Sequence, residues 1–171
     1  INQEVEGVMN EEPRVFYLPL LSSSPHGDEA SGGFFGLRGW HTRGHVLRAL
    51  LEGTVFNHKT HVDLLRDAFD VKRLRLTGGG SSSDVWSQMF ADALNETVEV
   101  TGAGETGALG AALCAGVGIG VYDSLNDATD NVVRKFRTHE PDARNSARYA
   151  EAYETYMGLV NALEPVWPRL G

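Results

Sequence analysis

The sequence predicts an α/β fold, and three observations predict it. Short apolar segments alternate with longer stretches whose apolar residues recur at helical spacing. Glycine clusters at 32–44, 78–80, 102–110 and 116–120 mark the junctions. No segment repeats at a period of 20–50 residues, so a solenoid or propeller is set aside.

Residues 1–14 (INQEVEGVMNEEPR) are polar, acidic and rich in turn formers, and they lack an initiator methionine. They read as a polar lead-in, a cut end, or a segment packed on something outside the chain, with 15–171 as the domain itself. Val15 to Leu21 is an apolar run broken by Pro19, which suits an edge strand. Residues 22–33 are loop chemistry, and Gly33-Phe34-Phe35-Gly36-Leu37 is a short strand between glycines. A long helix is predicted from a Thr42 cap to about Phe69, with Val46, Leu47, Leu50, Leu51, Val55, Phe56, Val62, Leu65 and Phe69 along its stripe. Gly53 interrupts that helix at a cost of about 1 kcal/mol against alanine, so the helix bends there or admits a close neighbour.

Arg73 to Thr77 alternates as a half-buried strand and stops at three glycines. Ser83 or Asp84 caps the next helix, whose apolar face is Val85, Trp86, Met89, Phe90, Ala93 and Leu94. Thr97 to Val100 is a further strand. A helix of mostly Ala and Gly follows from Glu105 to Ala115, and it implies close approach to a neighbour. Val117 to Tyr122 is a glycine-interrupted segment, and Ser124 starts another helix. A last helix runs from about Asp142 to Leu163, carries Tyr149, Tyr153, Tyr156, Leu159 and Leu163 on one side, and ends before Pro165 and Pro168.

At 171 residues the chain suits one domain with a substantial core. The net charge of -8 argues against a nucleic-acid surface, which needs clustered Lys and Arg, but leaves a local nucleotide pocket open. No apolar run approaches the roughly 18 residues of a membrane span, and no leader pattern is present, so a cytoplasmic address is expected. The single cysteine, Cys114, excludes an internal disulfide, and its alanine and leucine neighbours suggest a small buried residue.

Two glycine loops carry possible chemistry. In Leu76-Thr77-Gly78-Gly79-Gly80-Ser81-Ser82-Ser83 a strand runs through glycines into a helix N-terminus. Backbone N–H groups converge there, and no Cβ blocks a ligand. The Gly-Lys-Ser/Thr of a Walker loop is absent. The second loop, Gly102-Ala103-Gly104-Glu105-Thr106-Gly107, fits G-x-G-x-x-G and raises a rival reading as an NAD-binding oxidoreductase, with Asp123 as the ribose acid. Against it, Asp123 is placed to cap a helix, and Glu105 would sit beside the pyrophosphate.

Gly32–Leu37, seven residues, and then His45-Val46-Leu47-Arg48-Ala49-Leu50-Leu51-Glu52-Gly53 resemble the C-terminal signature of the FGGY carbohydrate kinases. Leu74 to Asp92 resembles that family's adenosine motif. Val98–Val100 and Glu105–Ala112 resemble its next strand and small-residue helix. Residues 56–61 and 83–89 look most like L-xylulose kinases and their near relatives.

The resemblance implies two actin-like (ribonuclease-H-like, ASKHA) domains with ATP and sugar in the cleft between them. This chain corresponds to most of the second, a mixed sheet flanked by helices. It implies ATP-dependent phosphorylation of a small sugar, a ketopentose such as L-xylulose, with Mg²⁺ and an aspartate base. That base is expected upstream of Ile1, so no catalytic residue is assigned here. The adenosine side falls on Gly78, Gly79 and Gly80, with Ser81 and Ser83 as polar neighbours. The partners implied are ATP, the sugar and the absent N-terminal domain. Positioning from both sides of the nucleotide is needed for phosphoryl transfer, so the chain alone is expected to be inactive. Where many members have Gly-Glu-Arg-Thr-Pro, this chain has Ser22-Ser23-Ser24-Pro25-His26-Gly27, which puts transfer of a D-xylulose specificity in doubt.

The remaining candidates read as structural. His58 and His61 lack a third metal ligand nearby, His41 and His45 suit capping or packing, and Asp63, Asp67 and Asp70 line a solvated helix flank. Asp84 reads as an N-cap before it reads as a catalytic carboxylate. The tyrosine stripe suits a core or a homodimer contact. A third reading keeps the fold and drops the chemistry: a non-catalytic ASKHA-type assembly domain.

Overall fold

A computed structural model describes residues 1–12, 14–21, 26–71, 73–102, 105–133 and 135–170, with backbone alone for Lys135 and Phe136. The elements are α1 (Asn2–Glu6), β1 (Phe16–Leu18), β2 (Gly33–Phe35), α2 (Arg43–Ala68), β3 (Leu74–Leu76), a 3₁₀ turn (Gly79–Ser82) and α3 (Asp84–Leu94). They continue with β4 (Val98–Thr101), α4 (Thr106–Gly118), α5 (Leu125–Val132), β5 (Lys135–His139), α6 (Ala143–Leu163) and a closing 3₁₀ turn (Trp167–Arg169).

The 26-residue α2 is the axis of the fold. At its start the Thr42 N–H donates to His45 Nδ1 (3.1 Å), so a histidine takes the place of the Glu or Gln of a capping box. Halfway along, Gly53 faces β1, and a Cβ there would lie 2.1 Å from the Tyr17 carbonyl oxygen. That glycine admits a close neighbour. The antiparallel pair β1–β2 packs on this part of α2, with Leu18 fully buried. Beyond it, Phe56 meets the rings of Tyr149, Tyr153 and Tyr156 at 6.0, 5.8 and 5.4 Å. These contacts lock α2 to α6, and the tyrosine stripe of α6 is spent on the core. Val160, rather than Leu159, continues its buried line.

The second sheet has the order β3-β4-β5, with β3 parallel and β5 antiparallel to β4. The alternation of 73–77 and the apolar spacing of α3 give this unit as expected, and Met89, Phe90 and Leu94 are buried against α2 and the sheet.

Four expectations need correction. Within the segment expected as a polar lead-in, a cut end or a piece packed on something outside the chain, Asn2–Glu6 is a helix packed on α2 of the same chain, with Val5 fully buried. Strand β5 has no counterpart in the sequence reading. Its Lys-Phe-Arg-Thr-His alternates, but a charge-rich edge strand carries no hydrophobic signal. Cys114 is exposed, not buried. Helix α4 is apolar around its circumference, yet Leu113 is its one buried residue among those described. A Cβ on Gly107, Gly110 or Gly118 would meet nothing within 4 Å, whereas one on Gly116 would lie 2.9 Å from the Tyr122 ring, so among the described glycines of this helix the expected close approach is met at that one position.

Candidate functional site

The first glycine loop lies between the end of β3 and the start of α3. Gly78 has φ +90°, a backbone conformation that disfavours any other residue. The three glycines then differ in what surrounds them. A Cβ at Gly78 or Gly79 would meet nothing within 4 Å, whereas one at Gly80 would lie 2.0 Å from the Trp86 ring. The Trp86 ring is itself held by an Nε1–H bond to the Leu51 carbonyl at 3.2 Å. Gly80 therefore admits Trp86, and Gly78 and Gly79 present bare backbone outward.

The serines hold the loop from within. Ser81 is buried, and its hydroxyl donates to the Gly78 carbonyl at 2.7 Å. Ser82 does the same toward Gly79 at 2.8 Å. Ser83 is the N-cap of α3: its hydroxyl oxygen accepts from the Trp86 N–H at 3.2 Å, and its O–H reaches Asn2 Oδ1 at 3.2 Å. Of the two expected caps Ser83 is the one used, because its hydroxyl already takes the Trp86 N–H; Asp84, expected as an N-cap, is instead the first residue of α3. It sits in the first turn of α3, ion-paired to Arg137 and 3.8 Å from His139 Nε2. Both side chains come from β5, a strand that carries no local hydrophobic signal in the sequence.

Behind the loop, Asp92 is nearly fully buried and accepts three bonds, from Gln88 Nε2 (2.8 Å), the Asp142 N–H (2.8 Å) and Asn145 Nδ2 (3.2 Å). It ties α3 to the start of α6, which the Asp142 side chain caps. A buried carboxylate satisfied this way is a brace. Across α2 lies a second buried network. Arg48 Nε donates to Glu52 Oε1 at 2.7 Å, and its Nη1 reaches the carbonyls of Val8 (2.6 Å) and Glu11 (2.8 Å). Burial raises the pKa of Glu52 despite the Arg48 charge, and burial together with the Glu52 charge raises that of Tyr149.

The other candidates separate from the loop. His58 lies 5.6 Å from the Phe90 ring, and desolvation, then the neighbouring His61, lowers its pKa. Among the described residues no three His, Cys, Asp or Glu side chains are grouped to hold a metal ion. In the second glycine loop, Ala103 and Gly104 lie outside the described residues, so that fingerprint has no geometry to test. The strand that follows α4 is β5, antiparallel to β4, which is not the second parallel strand a dinucleotide unit requires. Asp123 precedes α5, where its N–H donates to Asp127 Oδ2 at 3.2 Å and Ser124 provides the cap.

Residues 12–119 match the FGGY family of carbohydrate kinases, C-terminal domain. Over 171 residues the chain is 41% identical to the L-xylulose/3-keto-L-gulonate kinase of Escherichia coli (strain K12), covering 99% of this chain and 34% of that protein. It is 32% identical over 161 residues to the xylulose kinase of Bacillus subtilis (strain 168), covering 92% and 32%. The crystal structure of xylulose kinase from Rhodospirillum rubrum superposes with a TM-score of 0.83 at 30% identity, over 97% of this chain and 34% of that one. The chain belongs to the FGGY family of carbohydrate kinases and carries its C-terminal domain, with an actin-like α/β fold. It spans about a third of the length of the curated relatives it matches.

Proposed function

We propose that this chain is the nucleotide-binding C-terminal part of an ATP-dependent sugar kinase. The observation that carries the reading is the loop Gly78–Gly79, open at both Cα atoms and placed between a strand and a capped helix in a domain of this family. A ligand can lie against backbone there, and Gly78 and Gly79 are the positions where a Cβ would fill the space.

The local charge favours the nucleoside over the phosphates. A bare helix N-terminus attracts anions, but Asp84 occupies the first turn of α3 and is balanced by Arg137. Near-neutral ground suits adenosine. Gly78 and Gly79 would contact it, Ser81 would fix the loop from behind, and Ser83 would hold the helix start. The described residues offer no carboxylate cluster for Mg²⁺, so the ion would ride on the ATP phosphates, as Mg²⁺ commonly does. ATP supplies the transferred phosphoryl group; the residues here bind and orient it.

Two features support a reading in which further chain completes the enzyme. Strand β3 is at the edge of its sheet, beside a cleft of about 270 Å³ floored by Val62, Leu76 and Phe90. The segment just beyond α4 is also bare, with Ile119 79% and Val121 64% exposed. The acceptor by this reading is a keto-sugar, a ketopentose such as L-xylulose, in line with what the similar relatives are named for. The exposed thiol of Cys114 suits the reducing cytoplasm.

The test is phosphorylation by the chain joined to its upstream sequence, assayed against ketopentoses and related keto-sugars with Mg-ATP. Turnover of one of them is expected, together with none by the 171-residue chain alone. A folded full-length protein that binds no ATP and phosphorylates no sugar overturns the reading in favour of an assembly domain.

A further inference from the structure

Strand β5 lies beyond residues 12–119, the part matched by the family, and it reaches back to the glycine loop through one side chain. Arg137 Nη2 donates to the Ser81 carbonyl at 2.5 Å, and Nη1 is paired with the Asp84 carboxylate. The two anchors flank Ser82 and Ser83, the exit of the loop and the cap of α3.

Ser81 is the node through which this clamp acts. Its carbonyl takes Arg137 and, at 3.3 Å, the hydroxyl of the fully buried Ser87. Its hydroxyl and N–H both bond the Gly78 carbonyl, at 2.7 and 3.1 Å. Fixing the Ser81 peptide therefore fixes the carbonyl of Gly78, where the left-handed turn begins. The register supports the same role. Val100 pairs with Arg137 and Thr101 with Lys135, so the β4–β5 ladder is irregular beside the arginine. Such an irregularity re-aims a side chain that regular pairing would direct elsewhere. Arg137 also neutralises Asp84, the one carboxylate in the first turn of α3.

We infer that Arg137 is a positioning residue for the nucleotide loop, holding the Gly78–Ser83 backbone in its binding conformation from the edge strand that follows α5. The inference rests on the nucleotide reading of that loop. A charge-assisted donor held at two points has a geometry that a lysine cannot reproduce.

The test uses the full-length protein, with ATP affinity by titration calorimetry and steady-state kinetics for both substrates. Arg137→Gln is expected to weaken ATP binding and raise the KM for ATP about tenfold, while kcat and the sugar KM stay within about twofold. Arg137→Lys, which retains charge toward Asp84 but loses the second donor, is expected to fall between the two. It carries the test if the glutamine variant fails to fold. Unchanged ATP affinity in a folded variant overturns the inference, as does an equal loss for both substrates accompanied by a lowered melting temperature. The reading beneath it fails separately, by absence of ATP binding in the unsubstituted protein.

Discussion

Gly78, Gly79 and Gly80 are adjacent in sequence and do different work, and substitution separates them. Gly79→Ala adds a methyl group into open space. It should move the thermal midpoint by less than about 2 °C, within the range of a neutral surface change. If the loop holds adenosine, the same methyl group should raise the Kd for ATP in the full-length protein about tenfold. Gly80→Ala drives a Cβ into the Trp86 ring, which its bond to Leu51 holds in place. Overpacking of this kind costs about 1–3 kcal/mol, measurable by urea denaturation.

The buried pair Arg48–Glu52 behaves asymmetrically at the same scale. Arg48→Ala leaves the Glu52 charge buried and releases the carbonyls of Val8 and Glu11, so a loss of about 3–5 kcal/mol is expected. Glu52→Gln should be neutral or stabilising at neutral pH. Burial raises the folded pKa of Glu52, so the folded state binds its proton more tightly than the unfolded chain does. That contribution is complete below the unfolded carboxylate value of about 4.3 and is lost as pH rises through the folded value. The glutamine variant should therefore match the unsubstituted chain near pH 4 and gain on it toward pH 7.5, in melting curves recorded across that range.

Among the elements, α2 shows propensity overruled by packing. In an exposed helix, Gly→Ala is worth about 1 kcal/mol of stability. Gly53→Ala should instead lower stability by about 1–3 kcal/mol, because the added Cβ would sit 2.1 Å from the Tyr17 carbonyl and push β1 off the helix. Chemical denaturation of the two chains gives the sign directly. The helices were legible because their signals are local: the Thr42, Ser83, Ser124 and Asp142 starts and the apolar stripes of α2, α3 and α6 are all written in sequence. Helix α1 and strand β5 were not. Five residues make too short a helix for periodicity, and Lys135–His139 owes its strand state to pairing with β4.

For the whole molecule, the described residues leave apolar area uncovered, and the relatives are about three times as long. Catalysis requires groups on both sides of a nucleotide. The expectation that the 171-residue chain alone turns over no sugar, while the chain joined to upstream sequence does, belongs to this scale, and the phosphorylation assay checks it. The α/β class, the order of most elements, the family and the glycine loop were all legible in the chain of residues, because local spacing and motif carry them. Tertiary structure alone decided which loop glycine faces open space and which admits Trp86, that Ser83 caps while Asp84 pairs, and that an arginine 53 residues beyond Asp84 returns to clamp the loop. Those are contacts between distant segments, and neither spacing nor composition encodes them.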